Sequence, residues 1–253
     1  QTLRLTVIPV CRMVLWKFPS SLASVNTVNV LILLFSQLIP PLWAADSIDG
    51  SLPDQFVEIN DYIPTLSKEV RYFTTDNFVG SRIDGYQAAK IYLVEGAAEA
   101  LYRVQAELGQ LGLGLKIFDA YRPQRAVDHF VRWGSDLEDT KMRQHYYPRV
   151  EKANLFREGY IAERSGHSRG ATVDLTLIKL ESREELDMGT PWDFFDKLSW
   201  PSSLEVTAEQ RANRMLLQET MMKHGFNSLR EEWWHFTLVN EPFPFTYFDF
   251  VIE

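Results

Sequence analysis

Apolar residues in the middle of the chain fall three and four positions apart. Ile91, Val94, Ala97, Ala98, Leu101, Val104, Leu108 and Leu111 predict an amphipathic helix between Gly85 and Leu111, stopped by Gly112 and Gly114. Leu113 to Phe118 then reads as a buried strand, closed by Asp119-Ala120-Tyr121-Arg122-Pro123. A second helix is expected to open at Pro123, a residue suited to the first helical position, and to carry Ala126, Val127, Phe130 and Val131 inward. Thr172 to Ile178 alternates as a second strand, with Val173, Leu175 and Leu177 on one face and Asp174 and Thr176 on the other. Thr207-Ala208-Glu209-Gln210 is a capping box, predicting a helix that runs to Gly225, and Trp233 to Val239 predicts a third strand. Residues 46–66 show no periodicity and read as an irregular lead-in. Helices and strands mixed without a βαβ rhythm predict an α+β fold: a single domain with an antiparallel-rich sheet and helices packed on it.

The first 45 residues differ from the rest. They carry Arg4, Arg12 and Lys17 and no acidic side chain, and Val28 to Ile39 is apolar except for Asn29, Ser36 and Gln37. Small residues follow at Ala44 and Ala45 before Asp46. Basic start, short apolar run and small residues form the pattern of a secretory signal peptide, with Met13 a candidate start. The apolar run is short of the roughly 20 residues a membrane span needs. The rival reading is an uncleaved amphipathic or membrane-anchoring segment. The expectation is therefore a leader over 1–45, a domain over 46–253, export to the periplasm or exterior, and no stable span once the leader is gone.

Composition narrows the chemistry. At 253 residues, 45% of them hydrophobic, the chain is long enough for one sizeable core. A formal charge of -8 argues against a nucleic-acid partner. The single cysteine, Cys11, lies in the leader, which removes disulfides, thiolate-ligated metal and a cysteine nucleophile from the expected mature protein.

Three short segments concentrate reactive groups. In Ser165-Gly166-His167-Ser168-Arg169-Gly170-Ala171-Thr172-Val173-Asp174, a histidine on a turn precedes an aspartate on the polar face of a strand. Gly170 would let the backbone double back so that both reach one metal. Glu231-Glu232-Trp233-Trp234-His235-Phe236 adds a second imidazole and a candidate base. Two nitrogens and one oxygen with a fourth position open is the ligand set of a catalytic rather than a structural zinc. Tyr121-Arg122-Pro123 places a cation at the exit of a buried strand, where negative charge can develop. Each residue also has a plainer reading. A lone histidine is more often structural, and His129, His145 and His224 are left so. Arg122 can simply pair with Asp119 or Asp128, Trp233 and Trp234 are read as core and pocket wall, and Glu231 competes with Glu232. Asp174 resists the plain reading, because a carboxylate in an apolar strand costs several kcal/mol without a compensating cation or hydrogen bonds. In a regular strand Glu232 and His235 point to opposite faces, so a shared site requires Glu232 to precede the strand or sit at a bulge.

Ser-x-His-x-x-Gly-x-x-x-Asp followed by Glu-x-x-His resembles the zinc D-Ala-D-Ala peptidases. The fuller resemblance is to the VanX-type D-alanyl-D-alanine dipeptidases. It rests on Tyr72–Gly80, Asp119–Val127, His167–Leu177, Met188–Asp196 and Glu232–His235, with Tyr247-Phe248-Asp249-Phe250 near the end. It runs from about Val70 to the C-terminus. It implies one zinc ion on His167, Asp174 and His235, Glu232 as catalytic base, and Arg122 stabilising the transition state. Ser165, Tyr72 and Asp193 match positions lining the substrate pocket, and Asp193 is the candidate partner for the ammonium of a small dipeptide. The sequence departs from the pattern at Gly166, where a second small polar residue is expected and a looser turn would follow. The implied reaction is hydrolysis of D-alanyl-D-alanine in cell-wall peptide turnover. The alternatives are a DD-carboxypeptidase or endopeptidase on longer wall peptides, a non-catalytic zinc-stabilised binding module, and a structural protein without metal.

Overall fold

The computed structural model describes residues 52–253, so the expected leader and the Met13 start lie outside the described residues. The elements run β1 (Phe56–Glu58), α1 (Ile59–Tyr62), β2 (Ser67–Lys68), β3 (Tyr92–Val94), α2 (Glu95–Gly109) and β4 (Leu113–Asp119). They continue α3 (Gln124–Ser135), α4 (Arg143–Tyr146), β5 (Thr172–Lys179), α5 (Ala208–Lys223), β6 (Phe226–Ser228) and β7 (His235–Leu238). Five strands form one sheet in the order β2-β4-β5-β7-β6, and β1 pairs with β3 in a separate antiparallel ribbon. Within the larger sheet β2 runs parallel to β4 and the other pairs are antiparallel. The α+β expectation holds. No helix among the described residues is long and apolar enough to cross a membrane.

β5 is the middle strand, and every residue from Thr172 to Ile178 is buried. The expected alternation of an apolar and a polar face is real in the side chains, but both faces are covered by protein. Asp174 and Thr176 are therefore buried polar groups rather than solvent-facing ones. β4 lies beside β5, and α2 lays Ala97, Ala98, Leu101, Val104 and Leu108 into the core. Burial of each leucine contributes about 1.5–3 kcal/mol.

Three expectations about element boundaries require correction. The helix expected from Gly85 begins only at Glu95, because Tyr92-Leu93-Val94 pairs with Val94, Leu93 and Tyr92 standing opposite Phe56, Val57 and Glu58. A short apolar run fits a strand as well as a helical stripe, and here pairing decides. Leu111, read as part of that stripe, is 62% exposed, since the helix ends at Gly109 and Gly112 takes φ +71. The stretch read as irregular lead-in contains β1 and α1. Two smaller differences follow. Pro123 caps α3 rather than entering it, and Trp133 is buried where Val131 is only half so. The capping box at Thr207 and Gln210 is formed in full.

Candidate active site and metal centre

The sheet register assembles the site. β5 and β7 pair antiparallel with Asp174 opposite His235, so a carboxylate and an imidazole sit side by side on one face. On the other side of β5 the register with β4 shifts between Ile117 and Asp119, and the bulge sets Asp119 opposite Asp174. An extra residue at a bulge turns the following side chain towards its neighbours. β7 starts at His235, two residues later than expected, which leaves Glu232 before the strand and free of its alternation.

The second imidazole-bearing segment is a 3-10 turn, Gly166–Arg169, whose N-cap Ser165 accepts the His167 backbone N–H at 3.3 Å. Gly170 closes it at φ +80, and a Cβ there would stand 2.3 Å from the Phe56 ring, so conformation and space both call for glycine. Gly166 is also tight: a Cβ would lie 2.7 Å from the Thr172 hydroxyl, which is itself 2.9 Å from that of Thr237. The departure from the family pattern is thus a packed position, not a loosened one.

His167 Nε2, Asp174 Oδ1 and His235 Nδ1 converge at 3.1–3.3 Å from one another. Ligands about 2.0–2.1 Å from a tetrahedral zinc stand about 3.3–3.4 Å apart, so the three atoms have the separation such an ion imposes. Asp174 Oδ1 is buried and makes no hydrogen bond, as expected of an oxygen whose partner is a cation. His167 donates from Nδ1 to the Ala120 carbonyl at 2.7 Å, which leaves the Nε2 lone pair facing the cluster. Trp192 Nε1 donates to the other oxygen of Asp174 at 3.2 Å and fixes the carboxylate plane. The residues present fit a metal ion.

Beside this cluster lies a cavity of about 260 Å3, lined by Glu232, Arg122, Tyr72, Asp193, Ser165 and Phe130 among others. That is below the roughly 300–1,000 Å3 usual for drug-sized ligands and suits a very small one. Glu232 Oε2 stands 3.5 Å from His235 Nδ1. Burial, then the nearby Asp174 and Asp193, push the Glu232 carboxyl well above the ordinary range. Asp193 is raised in the same way by burial and by Asp174, and accepts a hydrogen bond from the Tyr72 hydroxyl at 2.7 Å. Burial would also raise Asp174, but the two imidazoles outweigh it and hold its pKa low. Arg122 bonds Asp119 Oδ2 through Nε at 2.9 Å and Nη2 at 2.8 Å, and lies over the rings of Tyr72 and Phe130. Asp174, Asp193 and the half-buried Glu232 bring three carboxyl groups to one cavity, and a cationic group placed among them would draw the raised pKa values of Asp193 and Glu232 back down.

Each residue singled out in the sequence (His167, Asp174, His235, Glu232, Arg122, Ser165, Tyr72 and Asp193) lines this one cavity. The plain reading of Arg122 is also correct, since its partner is Asp119. His224 caps α5 and bonds Glu107, and Glu231 bonds Arg230. Trp233 and Trp234 are buried core residues and do not line the cavity. Sequence reasoning offered Asp119 as a partner of Arg122 but missed its place opposite Asp174, and it missed the part played by Trp192. Asp119 had a signal in its i,i+3 spacing to Arg122. Trp192 had none beyond its place in the Met188–Asp196 segment.

The profile of peptidase family M15, described as D-ala-D-ala dipeptidase, matches residues 53–253. The chain is 44% identical over 197 residues to a D-alanyl-D-alanine dipeptidase of Streptomyces coelicolor, spanning 78% of this chain and 98% of the relative. It is 40% identical over 198 residues to one of Enterococcus faecalis, with the same shares of each chain. With one of Enterococcus faecium it shares 34% over 198 residues. The chain belongs to peptidase family M15, the D-Ala-D-Ala dipeptidases.

Proposed function

We propose that this chain hydrolyses D-alanyl-D-alanine to two D-alanines, using one zinc ion held by His167, Asp174 and His235. The observation that carries the reading is the convergence of three ligand atoms at 3.1–3.3 Å on the wall of a dipeptide-sized cavity. When bound, zinc supplies a Lewis acid that polarises the scissile carbonyl and lowers the pKa of water to about 7.

The remaining steps belong to the protein's own groups. Glu232 takes a proton from the attacking water and later returns it to the leaving amine. The guanidinium of Arg122, held by Asp119 and by the aromatic rings beneath it, faces the oxyanion. Asp193, oriented by Tyr72, receives the free ammonium of the substrate, and Ser165 lines the same pocket. A non-catalytic zinc module would need neither Glu232 nor Arg122 at the cavity.

The same reading takes residues 1–45 as an export leader, so that the enzyme works on released wall peptides outside the cytoplasm. N-terminal sequencing of the protein from the exported fraction tests that part. Purified protein should contain one zinc per chain and cleave D-Ala-D-Ala in preference to L-Ala-L-Ala and to an N-capped tripeptide ending in D-Ala-D-Ala. Preference for the capped tripeptide would instead establish a carboxypeptidase.

A further inference from the structure

A dipeptide carries two charged ends, and the groups described so far account for one. The cavity's carboxylates Asp174, Asp193 and Glu232 suit a cation and repel a carboxylate. Two arginines line the same cavity. Arg122 is largely buried and committed, with Nε and Nη2 both against Asp119. Arg164 is different. It is exposed and lies one residue before Ser165 and three before His167. Among the described residues no carboxylate lies within 4.0 Å of it. Its guanidinium rests over the Tyr247 ring at 4.9 Å. The neighbouring Arg169, which lies at 5.8 Å from that ring, is neutralised by Glu241. Stacking on an aromatic face restrains a guanidinium while leaving its edge of N–H donors open, the edge that pairs with a planar carboxylate.

We propose that Arg164 reads the free C-terminal carboxylate of the substrate, which makes it a specificity-determining residue. The proposal rests on the dipeptidase reading above and extends it: the pocket recognises a zwitterion, ammonium at Asp193 and carboxylate at Arg164. Two charged ends read at once select peptides of one length, because a longer peptide presents only one of its termini inside a cavity of about 260 Å3. Arg164 is exposed, so its contribution is screened and lies in binding rather than in the chemical step.

The test compares D-Ala-D-Ala with its C-terminal amide on wild-type protein, Arg164→Gln and Arg164→Lys. Wild type should favour the acid. Arg164→Gln should lower kcat/KM for the acid about five- to tenfold through KM, with kcat near wild type and the amide little affected, so that the acid-to-amide ratio falls towards one. Arg164→Lys should restore most of the ratio, since it restores the charge. Discrimination against the N-acetylated dipeptide should be the same in all three proteins, because that end belongs to Asp193. An Arg164→Gln enzyme that keeps the wild-type acid-to-amide ratio overturns the proposal, as does one that loses both activities in equal measure. A wild-type protein that contains zinc but cleaves neither substrate overturns the dipeptidase reading and this inference with it.

Discussion

Asp119 is the residue whose removal best tests whether the site is held together as described. Its carboxylate is 1% exposed and receives two hydrogen bonds, from Arg122 Nε at 2.9 Å and from the Tyr86 hydroxyl at 2.6 Å, with Arg122 Nη2 in ion-pair contact at 2.8 Å. Asp119→Asn keeps shape and one acceptor but removes the counter-charge of a guanidinium that is only 11% exposed. Breaking a buried ion pair by removing one partner costs about 3–5 kcal/mol, and the retained acceptor puts this variant near the lower end. A domain with about 5–15 kcal/mol of stability survives that loss. The urea midpoint should therefore drop by about 1–3 M with an unchanged slope. Turnover should fall by about 10²-fold, because Arg122 loses the contact that aims it.

The decisive measurement is the double variant. If Asp119 acts through Arg122, the losses from Asp119→Asn and Arg122→Ala overlap, and their coupling should reach about 1–3 kcal/mol in stability and in transition-state free energy. Additive losses within about 0.5 kcal/mol would refute the argument, as would an Asp119→Asn variant within a few-fold of wild-type turnover.

Three further outcomes are expected. Glu232→Gln should keep zinc near wild-type content while turnover falls by about 10²–10⁴-fold, with Glu231→Gln little changed; turnover within a few-fold of wild type would remove Glu232 as the base. His167→Ala, Asp174→Ala and His235→Ala should each lose bound zinc and the metal-dependent part of the thermal stability, and near-stoichiometric zinc in any one removes it from the ligand set. His129, outside the site, should make stability pH-dependent. Burial holds its pKa below the usual value against Asp84, with Arg132 and Lys141 adding to the lowering, and its neutral Nδ1 accepts the Asp84 backbone N–H at 3.2 Å. The unfolded chain takes up this proton first, so the contribution is present above about pH 6.5 and is lost as pH falls through the lowered folded value. His129→Gln should flatten denaturation midpoints across that window, and an unchanged slope would exclude His129 as the source.

The parts of this architecture legible in the sequence are those decided locally. The capping box at Thr207 fixes the start of α5 by two reciprocal bonds within four residues, β4 announces itself by its cluster of apolar residues, and β5 by alternation of apolar and polar ones. The convergence of His167, Asp174 and His235 was readable because a carboxylate in an apolar strand demands a partner. What was not legible depends on pairing. Tyr92-Leu93-Val94 is a strand only because β1 lies beside it. Asp119 reaches Asp174 only through a register shift that no local pattern encodes. Trp192 reaches Asp174 from a loop in which Asp193 takes φ +59, a conformation set by the surrounding packing rather than by the residue.

Register also explains why fold and site stand or fall together. A one-residue slip of β7 against β5 would move His235 from Asp174 to an apolar neighbour and turn it to the opposite face. Two adjacent pairs oppose the slip: Val173 with Phe236, both buried in the core, and Thr172 with Thr237, whose hydroxyls are 2.9 Å apart. Because side chains alternate, seating Val173 and Phe236 in the core sets Asp174 and His235 together on the other face. The loop beyond is fixed by equally remote means. Arg214 of α5 donates to the carbonyls of Met188 at 2.6 Å and of Leu198 and Trp200 at 2.9 Å, tying together both ends of the segment that carries Trp192 and Asp193. The left-handed backbone at Asp193 costs on the order of 1–2 kcal/mol, and it persists because that segment is held at both ends. The placement of the reactive groups is therefore set by residues that never touch the cavity, through the register of one strand pair and the closure of one loop.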